Sequence, residues 1–248
     1  MNRFERVELL LGPAAVARLA AARVAVVGLG AVGSYATEAL ARAGVGHLTL
    51  ADFDRIQPSN LNRQLYALES TLGRPKVEVA RARVLDIHPA CQVEALDLFV
   101  HEDTAVRVLS GPPDVLVDAI DSLNPKLALL EAAVRAGVPV VSCMGAALKL
   151  DPAAVRVAPL EETRVCTLAR QVRKRLGRRG IQGGIRCVFS VEPPAVAIGQ
   201  RRAEEHDEDH GRRRTTLGSL PTLPGIFGLV AANEALVQIL GGWGVKEG

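Results

Sequence analysis

A short apolar run, Arg23-Val24-Ala25-Val26-Val27, leads into the turn Gly28-Leu29-Gly30-Ala31-Val32-Gly33, and a helical pattern follows over residues 31–43, closed by Gly44. A run that is apolar at successive positions, not alternate ones, is buried on both faces, which places it inside a parallel sheet. Joined to a helix through three spaced glycines, it predicts the first strand, turn and helix of a doubly wound α/β fold. Gly28 permits the tight turn, Gly30 lets backbone approach a phosphate, and Gly33 lets the helix pack on the sheet.

The same rhythm continues. Strands are expected at 47–52, 93–98, 114–118 and 138–143, with helices at 76–87, 102–109 and 125–136, besides an opening helix at 13–22. The expectation is a Rossmann-like, mostly parallel sheet with an additional C-terminal α+β portion. After Met144 the pattern changes: 154–158 and 186–191 read as antiparallel or edge strands around a basic helix. Residues 199–216 are polar, charge-dense and non-periodic, which predicts a mobile loop. Pro224-Gly225 then opens a last helix ending at Gly241-Gly242. One domain over 1–248 is expected, with a nucleotide-binding core at 1–160 and a substrate-binding portion at 161–248.

Nothing in the apolar pattern reads as a membrane span. The stretch 224–240 is interrupted by Asn233, Glu234 and Gln238 and is expected to pack within the fold. The charged N-terminus lacks an export signal, so a cytoplasmic location is the expectation. The four cysteines, Cys91, Cys143, Cys166 and Cys187, form no C-x-x-C pair, which excludes a zinc site of that type. They read as small buried hydrophobes, with Cys166, beside basic residues near a helix start, also open to a reactive-thiolate reading.

The residues after the second strand decide what the glycine turn would hold. Asp52 sits where a carboxylate accepts hydrogen bonds from ribose hydroxyls. Beyond it come Asn60, Asn62, Arg63 and Gln64, and then Lys76 in GRPK. A triphosphate carries more charge than a dinucleotide's pyrophosphate link, and transfer at its α-phosphate needs positive groups on the departing pyrophosphate. Arg63 suits a two-pronged phosphate contact and Lys76 a point contact. These additions favour ATP and an adenylated intermediate over NAD and hydride transfer; the plain alternative is solvated surface. In VLVDAIDS, Asp121 is placed to hold Mg2+ against phosphates, while Asp118 reads equally as a cap of the next turn. Arg6, ahead of the first helix, is either an ordinary surface arginine or a phosphate contact reaching a partner subunit's site.

The basic helix is the remaining clue. Between Thr163 and Arg186 the chain has eight basic residues and no acid, within a total of +3. Val165, Leu168, Ala169, Val172 and Leu176 would form an apolar stripe, leaving Arg170, Arg173, Lys174 and Arg178 outward. Such a face is either simply solvated or a nucleic-acid contact; without stacking aromatics, that contact would be to phosphate, sugar and shape.

Taken together, RFERVELLLG (3–12), GLGAVG, LADFD, NLNRQ, GRPK and DAIDS resemble the ubiquitin-activating-enzyme-like adenylating superfamily that includes ThiF and MoeB. The resemblance implies that Asp52 binds ribose, that Asn60, Arg63, Gln64 and Lys76 hold the triphosphate, that Asp121 positions magnesium, and that Arg6 acts across a homodimer interface. SCMGAALKLDP, VCTLARQVRKRLGRRGI, CVFSVEPP and GSLPTLPGIFGLVAANEAL resemble one subgroup in particular. It implies ATP-dependent dehydration of a threonylcarbamoyl-modified adenosine in tRNA through a carboxyl-adenylate, and leaves open a sulfur-relay protein partner. The rival within the superfamily is adenylation of the C-terminal glycine of a small ubiquitin-like sulfur carrier.

Overall fold

The computed structural model describes residues 2–195, 205–207, 212–214 and 217–243. The expected strands and helices are present in order, joined by an unexpected helix at 5–11 and two short strands at 205–207 and 212–214. They are α1 (Glu5–Leu11), α2 (Pro13–Ala21), β1 (Arg23–Val27), α3 (Gly33–Ala43), β2 (His47–Asp52), α4 (Lys76–Ile87), β3 (Gln92–Asp97), α5 (Glu102–Val108), β4 (Val115–Asp118) and α6 (Leu123–Arg135). Then follow β5 (Val140–Cys143), β6 (Val155–Pro159), α7 (Thr167–Arg178), β7 (Ile185–Ser190), β8 (Glu205–Asp207), β9 (Arg212–Arg214) and α8 (Thr222–Leu240).

Seven strands form one sheet in the order β3-β2-β1-β4-β5-β7-β6. Every pairing in it is parallel except that of β6 with β7. β1 explains its unbroken apolar run: Val24 and Val26 join one core with α3, α4 and α8, while Ala25 and Val27 join another with α5, α6 and α7. The strand order reverses between β1 and β4, and in sheets of this kind ligands bind at the carboxyl end of the strands flanking that reversal. The glycine turn leaves β1 there, and Asp118–Asp121 leaves β4 beside it.

Helix ends follow local chemistry. Gly44 closes α3 in the left-handed region (φ 92), its N–H reaching the carbonyls of Leu40 and Ala41. α8 packs on α3 so closely that a Cβ on Gly228 would lie 2.3 Å from the Val32 carbonyl. By length and composition alone α8 is apolar enough to cross a membrane. Half of its apolar window is nevertheless buried against the fold.

Four expectations change, at least in part. The 186–191 segment is antiparallel to β6, as one of its two readings had it, but is no edge strand: β7 lies between β5 and β6 and runs parallel to β5. Its sequence, IRCVFS, is buried at five of six positions, the signature of an interior strand. Within 199–216, β8 and β9 pair antiparallel, and the rest of that stretch lies outside the described residues. Arg6 does not precede the first helix but lies within α1, whose Glu5 and Glu8 complement its amino end. Val165 leaves the apolar stripe: it is 49% exposed, with φ 64, one residue before the cap of α7.

Candidate active site at the carboxyl edge of the sheet

Gly28 is held by its N–H to the Ala51 carbonyl at 2.8 Å, with φ 86. A Cβ on Gly33 would lie 1.7 Å from the Gly28 carbonyl, so the third glycine is required by backbone contact alone. Gly30 differs. Its nearest neighbour would be Gln64 Nε2 at 3.7 Å, the end of a side chain at ordinary contact distance, so a Cβ there would meet no backbone within 4 Å.

Asp52, nearly buried at the end of β2, accepts the Leu29 N–H at 2.6 Å and the Asp54 N–H at 2.8 Å. Its carboxylate thereby fixes the backbone of the glycine turn. Burial pushes its pKa up, and the Lys76 cation opposes that rise. Lys76, the first residue of α4, is only 4% exposed, with Nζ 2.8 Å from Asp54 Oδ2. Asp54 is the site residue that sequence reasoning left unassigned. Its signal was the pair of acids in DFD at a strand end, both able to face one cation.

The turn carrying the amides is built by Asn60, whose Oδ1 accepts the Gln57 N–H and whose carbonyl accepts the N–H groups of Arg63 and Gln64. Arg63 Nη1 donates to the Ser59 carbonyl at 2.8 Å and to Asn62 Oδ1 at 2.9 Å, which sets the guanidinium against this turn. Asn62 Nδ2 donates to the Ser219 carbonyl, tying the turn to the segment before α8.

Asp118 and Asp121 separate into two roles. Asp118 is fully buried against Lys126, also fully buried, and its Oδ1 accepts the Ile120 N–H at 3.1 Å, the turn-capping role. Asp121 is exposed, its Oδ1 accepting only the Ser122 hydroxyl at 3.2 Å among the described residues. One exposed carboxylate beside the glycine turn has the chemistry that would suit Mg2+, which takes one or two carboxylates and fills its shell with phosphate oxygens and water. No cluster of three or more His, Cys, Asp or Glu side chains able to hold a metal occurs among the described residues.

The basic helix departs from a uniform outward face. Arg170, Lys174 and Arg178 are exposed. Arg173 turns back instead, its Nη1 donating to the carbonyls of Leu160 and Thr163 and to Thr163 Oγ1 at 2.7 Å. The acids absent from this segment come from elsewhere in the fold: Glu131 sits 2.5 Å from Arg179, and Glu234 2.8 Å from Arg186. Cys166 is buried at the cap of α7, and burial also pushes the thiols of Cys91 and Cys143 up to about 11 and about 12. A separate cleft of about 360 Å3, lined by Arg18, Asp114 and Gln238, opens at the opposite edge and includes none of these residues.

A glycine turn, a buried aspartate, a buried lysine and an exposed carboxylate, brought together at the reversal of a doubly wound sheet, define a nucleotide-binding α/β protein. The family model described as the ThiF family matches residues 4–247, and the chain belongs to that family. A Bacillus subtilis protein named tRNA threonylcarbamoyladenosine dehydratase is 36% identical over 242 residues, covering 97% of this chain and 95% of the relative. The crystal structure of Escherichia coli tRNA N6-threonylcarbamoyladenosine dehydratase in complex with ATP superposes with a TM-score of 0.85 at 34% identity, covering 96% of this chain and 94% of that one. Molybdopterin-synthase adenylyltransferase of Salmonella typhimurium is 40% identical over 130 residues, 52% of this chain and 51% of the relative.

Proposed function

We propose that this protein catalyses the ATP-dependent dehydration of threonylcarbamoyladenosine in tRNA, closing the modification into a ring through a carboxyl-adenylate. The observation that carries this reading is likeness over nearly the full length of both chains to proteins named for that reaction. Likeness to the molybdopterin-synthase adenylyltransferase spans about half of each chain, which makes activation of a sulfur carrier the weaker reading.

A carboxylate is a poor acyl donor because its leaving group would be oxide. Attack of the threonyl carboxylate oxygen on the α-phosphorus of ATP forms an O–P bond, breaks the bond to the bridging oxygen, and releases pyrophosphate. A ureido group of the same substrate then attacks the activated carbonyl, losing a proton as AMP departs with the carboxyl oxygen. The ring-closing step is intramolecular, so proximity supplies much of its rate and no protein nucleophile is needed.

In this scheme the turn Gly28–Gly33 cradles the phosphates, with Gly30 against them and Gly28 and Gly33 fixing the backbone, and Asp52 receives the ribose. Asn60, Arg63, Gln64 and Lys76 hold the triphosphate, with Arg63 and Lys76 stabilising charge on the departing pyrophosphate. Asp121 would hold Mg2+, which screens the phosphates when bound. Arg170, Lys174 and Arg178 seat the tRNA backbone, with Arg173 fixing the turn at 160–163 beneath them. A homodimer belongs to the proposal: α1 buries none of its residues, and Leu9 and Leu10 are 81% and 80% exposed beside Arg6, which would reach the second copy's phosphates. A cytoplasmic location and a sulfur-relay partner complete it.

The test is incubation with ATP, Mg2+ and tRNA carrying the modification, followed by nucleoside mass spectrometry. Loss of one water from the nucleoside, with AMP and pyrophosphate formed in step, is expected. An unchanged nucleoside, with ATP–pyrophosphate exchange stimulated by a small sulfur-carrier protein, would move the assignment to the second reading.

A further inference from the structure

Beneath the two site turns lies a buried ion pair that the chemistry above does not use. Lys126, on α6, and Asp118, at the end of β4, are both 0% exposed. Lys126 Nζ donates to Asp118 Oδ2 at 2.5 Å, to the Cys143 carbonyl at 3.0 Å and to Ser142 Oγ at 3.3 Å. The Ser142 hydroxyl in turn donates to Asp118 Oδ2 at 2.6 Å. All three ammonium hydrogens therefore have acceptors, and the network is closed.

Closure explains why the pair is tolerated but not why it stands here. Apolar side chains of similar volume are often as stable as a buried pair, or more so. Its position supplies the reason. Asp118 spends its second oxygen, Oδ1, on the Ile120 N–H, so the carboxylate that Lys126 holds also shapes the turn ending at Asp121. The same turn abuts the glycine loop. Ala119 N–H donates to the Val27 carbonyl at 2.8 Å, and a Cβ on Gly28 would lie 2.8 Å from the Ala119 carbonyl. The far side is pinned as well, since the Ser122 carbonyl accepts the Lys126 N–H at 3.2 Å.

We infer that Lys126 is a positioning residue for the metal-dependent step: through Asp118 it holds the turn 119–121, so that the Asp121 carboxylate and the Gly28 loop meet the same metal-bound triphosphate in one geometry. This inference rests on the site reading under Proposed function. A neutral residue at 126 would leave Asp118 free to rotate, and the Ile120 N–H would lose its fixed acceptor. The glycine turn itself, held by Ala51 and Asp52, would remain.

The test compares wild type with the charge-neutral pair D118N/K126M and with S142A, each first shown to melt cooperatively. ATP binding is measured by calorimetry with and without Mg2+, and exchange of the Ile120 amide by mass spectrometry or NMR. The double variant should bind metal-free ATP as wild type does but need about tenfold more Mg2+ for half-maximal enhancement, the usual scale for losing an outer-shell support. Its Ile120 amide should exchange faster while β1 amides keep their protection, and S142A should show both effects more weakly. A folded double variant with the wild-type Mg2+ requirement and Ile120 protection would overturn the inference. Should the double variant not fold, S142A decides alone by the same two readings. Wild-type ATP affinity indifferent to Mg2+ would also overturn it, whatever the tRNA assay shows. A wild type that responds to Mg2+ yet never dehydrates the tRNA nucleoside would instead remove the proposed reaction and leave Lys126 judged on its Mg2+ requirement and amide exchange.

Discussion

Lys76 Nζ stands 2.8 Å from Asp54 Oδ2 with its side chain only 5% exposed, so the cation best placed for a phosphate is already paired by a neighbouring acid. Pairing solves a folding problem, because a lone buried ammonium is costly. It also keeps the ammonium aimed. On the proposed reading, an incoming triphosphate would share a charge that the fold has already placed, with little reorganisation at the moment of reaction.

Lys76→Ala should therefore lower adenylate formation by about 10²–10³-fold, the scale of losing one preorganised electrostatic contact. It also removes the cation that opposes the raised pKa of Asp52, so that pKa should climb further. Single-turnover pyrophosphate release measures the first effect, and carboxyl NMR of Asp52 the second.

The glycines separate a folding role from a ligand role. Gly33→Ala places a methyl on the Gly28 carbonyl and should destabilise the protein by about 3 kcal/mol, since backbone on both sides cannot yield. Gly30→Ala meets only the end of a glutamine side chain, so its melting temperature should stay near wild type while ATP affinity falls. Thermal melts beside ATP titrations distinguish the two.

Asp121→Ala should abolish adenylation while leaving the melting curve in place, because the side chain is exposed and accepts only one hydroxyl among the described residues. Retained ATP consumption dependent on tRNA would remove Asp121 from the site.

On α7 the exposed cations should behave differently from the inward one. Reversing Arg170, Lys174 and Arg178 to Glu should weaken tRNA binding across sequences and flatten its salt dependence, by about one unit of slope for each phosphate no longer neutralised. Arg173→Ala should act on thermal stability instead, since its guanidinium ties α7 to the turn at 160–163. Filter binding at several salt concentrations, with melts of both variants, checks the contrast.

Acid should loosen the far end of α7. The Arg179 guanidinium, with Arg135, holds the Glu131 carboxyl below its ordinary value of 4.5. A carboxylate with a lowered pKa stabilises the fold above its unfolded value, and that contribution is lost as pH falls through the folded one. Both side chains are partly solvated, at 38% and 22% exposure, so the pair contributes under about 1 kcal/mol. Glu131→Gln should lower the melting temperature slightly at neutral pH and flatten its fall below pH 4.5.

Strand and helix periodicity made nearly the whole sheet legible, because β1 and β4 declare their burial in apolar runs and Gly44 and Gly241 mark where helices stop. The place of β7 was not legible, because an interior strand that follows a basic helix offers no local sign of which neighbour it will join; that choice lies in long-range pairing with β5. The glycine turn, Asp52 and Lys76 were readable from spacing. Asp54, Lys126 and the inward turn of Arg173 were not, because each depends on what tertiary contact places opposite it. Lys126 did leave one trace, a lysine inside the apolar stretch LNPKLALL, where a charge demands a buried partner.

Gly225 and Gly228 of α8 press on Tyr35 and on the Val32 carbonyl of the helix that leaves the glycine turn. The glycine turn is thus clamped by an element made some two hundred residues later on the ribosome. A nascent chain on which α8 has not yet emerged carries the whole turn and still lacks the wedge that holds it in register. Translation order alone should keep the turn from setting until α8 has left the ribosome.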